Sequence, residues 1–191
     1  MRGAKDSELL GITGTPGTGK KSIAPIVAES LGMQCLGLND LAESYGLVSR
    51  KSGAVDAQKL RAKLRRDLSE KAVVYGHLLP YVVPQSAVSR VAVLRCEPRV
   101  LKERLRLRGY APPKIVENVE AELIGVVSSD AFDTYGRTKT TEVDTTGGSP
   151  ADAAKAVVEI ALSEPREAPR IDWTLGYDSG AKLRLLLSTA E

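Results

Sequence analysis

Gly11-Ile12-Thr13-Gly14-Thr15-Pro16-Gly17-Thr18-Gly19-Lys20-Lys21-Ser22 is the stretch on which the reading of this chain turns. Leu9 and Leu10 lead into it as the end of a buried strand, and the residues beyond it fall into a helical pattern. Gly14, Gly17 and Gly19 let the backbone curl and turn its N–H groups inward. With the positive end of the following helix, that concave nest makes an anion site suited to a nucleotide's phosphates. Lys20 would reach the outer phosphates. Gly-x-Pro-Gly-x-Gly-Lys should arise by chance in a chain of this size roughly a few times in ten thousand. A dinucleotide fingerprint would need glycine where Ser22 stands.

The usual phosphate loop places Ser or Thr directly after the lysine, where its hydroxyl meets Mg²⁺. Here Lys21 holds that position and the hydroxyl follows at Ser22.

The chain has 191 residues, 42% of them hydrophobic, enough for one well-packed domain and a small tail. No apolar run approaches the roughly 18 residues of a membrane span, and Met1-Arg2-Gly3-Ala4-Lys5-Asp6 lacks the apolar core of a signal peptide. A cytoplasmic protein without a membrane partner is expected. Cys35 and Cys96 are too few and too far apart for a disulfide framework or a zinc motif, so buried reduced thiols are expected. His77 is the only histidine, which excludes a histidine-rich metal site but leaves a single catalytic imidazole open. A net charge of +3 is too mild to argue for nucleic-acid binding by itself.

Working outward from the loop, the pattern predicts a helix from Ser22 to Leu31 stopped by Gly32, a strand over Met33–Leu38, and a short helix capped by Asn39 or Asp40. Residues 47–55 read as a polar loop. Asp56 opens a helix with Leu60, Leu64 and Leu68 inward, flanked by Lys59, Arg61, Lys63, Arg65 and Arg66, a cationic flank that fits either solvent or RNA. Ala72–Tyr75 and Arg90–Cys96 are buried strands. A helix from Pro98 to Arg108 ends in the break Gly109–Pro113, and one long amphipathic helix with Ile115, Val119 and Leu123 inward is expected to run to Gly136. Thr140–Val143 is a last strand and Ala151–Leu162 a last helix. Pro165 and Pro169 mark a linker to a tail expected to dock through Ile171, Trp173 and Leu175. Strands alternating with helices at this rhythm predict an α/β fold, a parallel five-stranded sheet covered on both faces.

Nucleoside monophosphate kinases resembling adenylate kinase share the loop proline and the hydroxyl two residues after the lysine. The resemblance narrows with Gly76-His77, Glu103-Arg104-Leu105, Arg108-Gly109-Tyr110, Glu117-Asn118-Val119-Glu120-Ala121-Glu122 and Glu142-Val143-Asp144-Thr145-Thr146-Gly147. As a set these look like the adenylate kinase isoenzyme 6 family, especially its archaeal members, and they span residues 8–163 in order. That resemblance implies a P-loop kinase domain over residues 1–163, with a monophosphate-binding part near 37–55 and a short lid near 108–118, followed by a linker and tail over 164–191. It implies transfer of the terminal phosphate of ATP to AMP or another monophosphate, ATP hydrolysis, and a part in late small-ribosomal-subunit maturation through a platform protein, with rRNA contact. Carried over by position, Gly14, Gly17, Thr18, Gly19, Lys20, Lys21 and Ser22 would hold ATP, with Ser22 meeting Mg²⁺. Arg108 would be the lid arginine, Gly148 would lie near the adenine, and His77 would orient water or phosphate.

Three positions depart from the family pattern. Lys21 replaces a hydroxyl residue, Tyr75 stands where a strand-end aspartate would hold magnesium-bound water, and Glu43 stands where an arginine often meets the monophosphate. Two readings follow: an active nucleotide kinase with lowered turnover, or an ATP-binding assembly factor whose chemistry has weakened. A small-molecule kinase with another acceptor would share the loop but not the Arg-Gly-Tyr and Glu-Asn-Val-Glu-Ala-Glu stretches.

Overall fold

The structure is a computed structural model that describes residues 9–49, 53–67 and 71–188. In chain order the elements are β1 (Leu9–Thr13), α1 (Lys20–Leu31), β2 (Gln34–Gly37), α2 (Leu38–Ser44), α3 (Ala57–Asp67), β3 (Ala72–Tyr75) and α4 (Leu79–Val82). They continue with β4 (Val88–Arg95), α5 (Pro98–Leu107), α6 (Pro112–Leu123), α7 (Val126–Tyr135), β5 (Thr140–Asp144), α8 (Pro150–Leu162) and α9 (Gly180–Leu187).

The strands form one five-stranded sheet in the order β2-β3-β1-β4-β5, every pairing parallel. Alternation along the central strands explains the layers. Leu9 of β1 and Val91 and Val93 of β4 join Leu38, Leu60, Leu64, Leu79 and Tyr135, from α2, α3, α4 and α7, on one face. Leu10 and Ile12, with Ala92 and Leu94, meet Ile23 and Val27 of α1 and Ala154 and Val157 of α8 on the other. A third cluster, Leu101, Leu105, Ile115, Val119, Leu123 and Leu186, packs α5, α6 and α9 together. The chain leaves β1 toward β2 and leaves the adjacent β4 toward β5, so a crevice opens at the carboxyl ends between them, the usual ligand position in such sheets.

Several expectations need correction. The single helix over 115–136 is two helices, because Gly125 takes a left-handed conformation (φ +68°) that ends one and starts the next. Cys35 is exposed on the edge strand β2, whereas Cys96 is buried as expected. The tail contains the unforeseen helix α9, and it docks through Trp173, Tyr177 and Leu186 rather than Leu175, which is 77% exposed. Leu68 lies outside the described residues, as do the side chains of Arg65 and Arg66. Within the same helix Lys59 pairs with Asp56 and Lys63 stacks 4.5 Å over the Tyr45 ring.

Tyr135 shows how the lower layer is tied together. Its ring is fully buried, and its hydroxyl lies 2.8 Å from the carbonyls of both Leu79 and Val83, joining α7 to α4. Burial pushes the phenol's pKa far above its ordinary value, so it acts as a neutral donor. Tyr135→Phe leaves buried carbonyls short of a donor, and should lower the unfolding free energy by about 1–2 kcal/mol in denaturant titrations. An unchanged midpoint would show that the hydroxyl contributes nothing.

Candidate functional site

The loop between β1 and α1 has the curled backbone that the glycine spacing demands. Gly14 lies at φ +140°, and a Cβ there would stand 2.3 Å from the Leu94 carbonyl oxygen of β4. Gly17 lies at φ +99°, and its Cβ would meet Leu101 at 2.5 Å. No side chain fits at either position, which is why the loop can sit directly on the ends of β4 and α5. Gly19 caps α1 at φ +103°, and its carbonyl accepts from Ser22 N (3.0 Å) and Ile23 N (3.1 Å).

Side chains lock this shape from below. The Thr13 hydroxyl donates to the Gly76 carbonyl (2.9 Å), and Gly76 N donates to Ile12 O (3.1 Å), joining the loop to the end of β3. The Thr18 hydroxyl donates to Thr15 O (2.9 Å), and the Thr145 hydroxyl reaches Thr18 O (2.9 Å) from the loop after β5. Arg104 of α5 donates to the carbonyls of Thr145 (2.6 Å) and Thr146 (3.1 Å), so this arginine supports the loop backbone. The Thr15 hydroxyl donates to the carboxylate of Glu122 at 2.5 Å.

Of the expected site residues, Gly17, Thr18, Gly19, Ser22, Arg108 and Gly148 line one cavity of about 230 Å³, together with Arg104 and the turn after β5. Gly14 and Lys20 form the inner wall of the loop rather than that cavity. The Lys20 ammonium donates to Gly14 O (2.6 Å) and Thr15 O (2.9 Å). Burial lowers its pKa to about 7, Glu122 opposes that shift, and Arg108 adds to it. Lys21 is exposed, and any part it plays in the loop falls to its backbone. His77 is half-buried after β3, and burial with the charges of Lys20 and Lys114 holds its imidazole below the ordinary value, neutral near pH 7.

The arrangement therefore offers a row of backbone donors, one buried ammonium, a mobile-length guanidinium at the end of α5 and a neutral imidazole around one crevice. Such a set neutralises and orients polyanionic oxygens. No group of three or more His, Cys, Asp or Glu among the described residues is placed to hold a metal ion. The sequence did not single out Thr15 or Thr145, and it offered Glu122 only as part of a motif. The available signal was positional: residue 122 falls on the apolar stripe set by Ile115 and Val119, and a carboxylate on such a stripe must find buried partners.

The family described as "AAA domain" matches residues 10–125. A protein named "Putative adenylate kinase" from Thermococcus onnurineus is 34% identical over 181 residues, 93% of this chain and 98% of that protein. One of the same name from Pyrococcus abyssi is 37% identical over 173 residues, 89% of this chain and 93% of its own length. The chain belongs to the family of these archaeal adenylate kinase-like proteins. Among solved structures, a gluconokinase from Sinorhizobium meliloti superimposes with a TM-score of 0.60 at 21% identity, covering 92% of this chain and 99% of its own. A shikimate kinase from Acinetobacter baumannii gives 0.57 at 20% identity, covering 81% and 93%. At those identities the likeness concerns the P-loop kinase fold.

Tyr75 and Glu43, expected from the sequence to depart from the family pattern, have defined places in the structure. Tyr75 ends β3 with its hydroxyl 3.2 Å from the Asp40 carboxylate, and burial with Asp40 raises its pKa to about 12, so it stays a neutral phenol. Glu43 lies exposed on α2. No helix among the described residues is long and apolar enough to cross a membrane.

With a pKa of about 7 the Lys20 amine is largely protonated below that pH and largely neutral above it, and an incoming polyphosphate favours the charged form. Binding of ATP should therefore take up a proton at about pH 8, where its phosphates are already ionised, and none at about pH 6, where Lys20 is already charged and the γ-phosphate gives up its own proton, with affinity falling above about pH 7. Calorimetry in buffers of different ionisation heat measures the uptake. Equal uptake at both pH values would contradict the assignment.

Proposed function

We propose that this chain is an ATP:nucleoside monophosphate phosphotransferase of the adenylate kinase type. The observation that carries the reading is the convergence of the loop backbone, Ser22, Arg108 and Gly148 on one cavity, with the Lys20 ammonium held inside the same loop on the Gly14 and Thr15 carbonyls, in a chain of this family.

Phosphoryl transfer passes through a loose transition state, so the protein's task is to align two nucleotides, spread oxygen charge and exclude water. In this reading the N–H groups of Gly17, Gly19, Lys20 and Lys21 and the Lys20 ammonium hold the β- and γ-phosphates. The turn containing Gly148 takes the adenine side, and the region near 37–55 takes the monophosphate. A phosphate oxygen of the monophosphate attacks the γ-phosphorus, the bond to the β–γ bridging oxygen breaks, and two nucleoside diphosphates result, both of them ADP when the acceptor is AMP. Arg108, at the head of the segment 108–118 that we assign as a short lid, clamps the transferring group bidentately. His77, neutral, orients water or phosphate beside Lys20.

Ser22, which lines the cavity, would hold the magnesium that accompanies ATP, and that ion would supply charge neutralisation across the phosphates. When acceptor is missing, water can take the phosphoryl group, which gives an ATPase side activity.

A second reading has a specific support. Lys21 and Tyr75 stand where a hydroxyl and a carboxylate would favour the metal, and a cation about 4 Å from Mg²⁺ or a missing carboxylate shifts the local balance by roughly 4 kcal/mol per charge pair at an effective dielectric of about 20. In that reading the chain binds ATP, turns it over slowly, and serves small-subunit assembly through a platform protein and rRNA.

The test is ADP formation from ATP with AMP and other monophosphates in Mg²⁺. Wild-type protein should form ADP, and Lys20→Ala should lower kcat/KM by about a hundredfold or more. Absence of turnover with every monophosphate, with ATP binding retained, would favour the second reading. A large gain in Lys21→Thr with Tyr75→Asp would locate the weakness at the metal.

A further inference from the structure

Glu122 is buried to 1% exposure, and its carboxylate gathers donors from parts of the chain far apart in sequence. One oxygen accepts from Arg95 Nε (2.8 Å), from the backbone N–H of Cys96 (2.9 Å) and from the indole N–H of Trp173 (3.2 Å). The other accepts from the Thr15 hydroxyl at 2.5 Å. Thr15's own carbonyl accepts from the Lys20 ammonium (2.9 Å) and from Thr18 N (3.2 Å). An unbroken polar path of three contacts therefore joins the tail indole, the buried carboxylate, the loop threonine and the loop lysine.

The tail is not held to this path by the indole alone. Arg95 also donates to the Ile171 carbonyl (3.1 Å) while its guanidinium pairs with Glu142 (2.5 Å). Ile171 N donates to the Glu142 carboxylate, and the Tyr177 hydroxyl donates to Glu97, the N-cap of α5. The segment 171–177 thus touches both carboxylates of the Arg95 cluster and the helix that carries Arg104 and Arg108.

We propose that Glu122 is a positioning residue for the phosphate loop, and that through it the docking of the tail at Trp173 is coupled to nucleotide binding at Lys20. This rests on the reading of the loop as an ATP site. The coupling has a direct physical origin. Phosphate oxygens compete with the Thr15 carbonyl for the Lys20 ammonium, so binding moves a positive charge that faces Glu122 and alters the hold on Thr15. The Trp173 N–H shares its acceptor oxygen with two other donors and is the longest of the three contacts, so it responds most to a shift of that carboxylate. Linkage makes the effect mutual: loosening the indole must weaken nucleotide binding by the factor by which nucleotide tightens the indole.

Trp173 is the chain's single tryptophan, so its emission reports on this contact without labelling. The experiment titrates the full-length chain with ATP and Mg²⁺, reading tryptophan emission and calorimetric binding together. Wild type should show an emission change whose midpoint coincides with the calorimetric one. Glu122→Gln keeps the size of the side chain but loses its charge, and should bind ATP about tenfold or more weakly with the emission response lost. Should Glu122→Gln not fold, Trp173→Phe carries the test: it should raise the KM for ATP several-fold, with a smaller change in kcat. ATP binding that is clear in calorimetry but silent in emission, with an unaltered KM in Trp173→Phe, would overturn the coupling and leave the ATP site standing. Absence of calorimetric binding would overturn the ATP site itself, and the coupling with it.

Discussion

The Glu122 carboxylate and the Arg95 guanidinium, both buried, hold each other and, with Glu142, join β4, α6, β5, α7, the β1–α1 loop and the tail. Burial works against the charge on Arg95, but the Glu122 and Glu142 carboxylates outweigh it and raise its pKa. Moving such ions out of water costs several kcal/mol each, and the geometry offsets this because nearly every oxygen and N–H in the cluster has a partner. Arg95 ends β4, Glu142 lies in β5, Ser128 of α7 donates to Glu142, and Thr15 and Trp173 donate to Glu122. Removing one partner of a buried pair costs about 3–5 kcal/mol. Exposed pairs such as Arg106 with Glu103 and Lys114 with Glu117 contribute at most about 1 kcal/mol. The stiffness of the candidate site therefore comes from inside the molecule, beneath the loop.

That stiffness suits the chemistry proposed for the crevice. A nest of amides is useful to a polyanion only if the amides already point inward, since reorganising them during transfer would forfeit most of their effect. Gly14 against Leu94 O, Thr13 to Gly76 O, and Thr145 to Thr18 O fix the loop against β4 and against the residues that follow β3 and β5. By contrast Arg108 and Tyr110 are exposed at the end of α5, where the lid proposed above would close.

The sheet was legible in the sequence because parallel strands covered on both faces are written as short apolar runs, and Leu9–Ile12, Ala72–Tyr75 and Arg90–Cys96 are such runs. The loop was legible because glycine spacing dictates backbone conformation. What could not be read was tertiary. The apolar period runs from Ile115 past Val126 without a gap, so only the left-handed turn at Gly125 separates α6 from α7. Cys35 is apolar in character yet lies on an edge strand that the sequence cannot distinguish from a central one. Lys20 facing loop carbonyls, Arg104 supporting Thr145, and Trp173 donating to Glu122 join residues 5 to 51 positions apart, and spacing alone holds no record of them.

The central claim is that the amides of Gly17, Gly19, Lys20 and Lys21 are the phosphate-binding surface. Backbone amide NMR of the labelled full-length chain during ATP titration tests it most directly. The account predicts that the resonances of Gly17, Gly19, Lys20 and Lys21 move furthest, that those of the turn after β5 follow, and that those of α3 stay in place. Saturable shifts confined to α3 or to the outer face of α8, with the loop resonances unmoved, would contradict it.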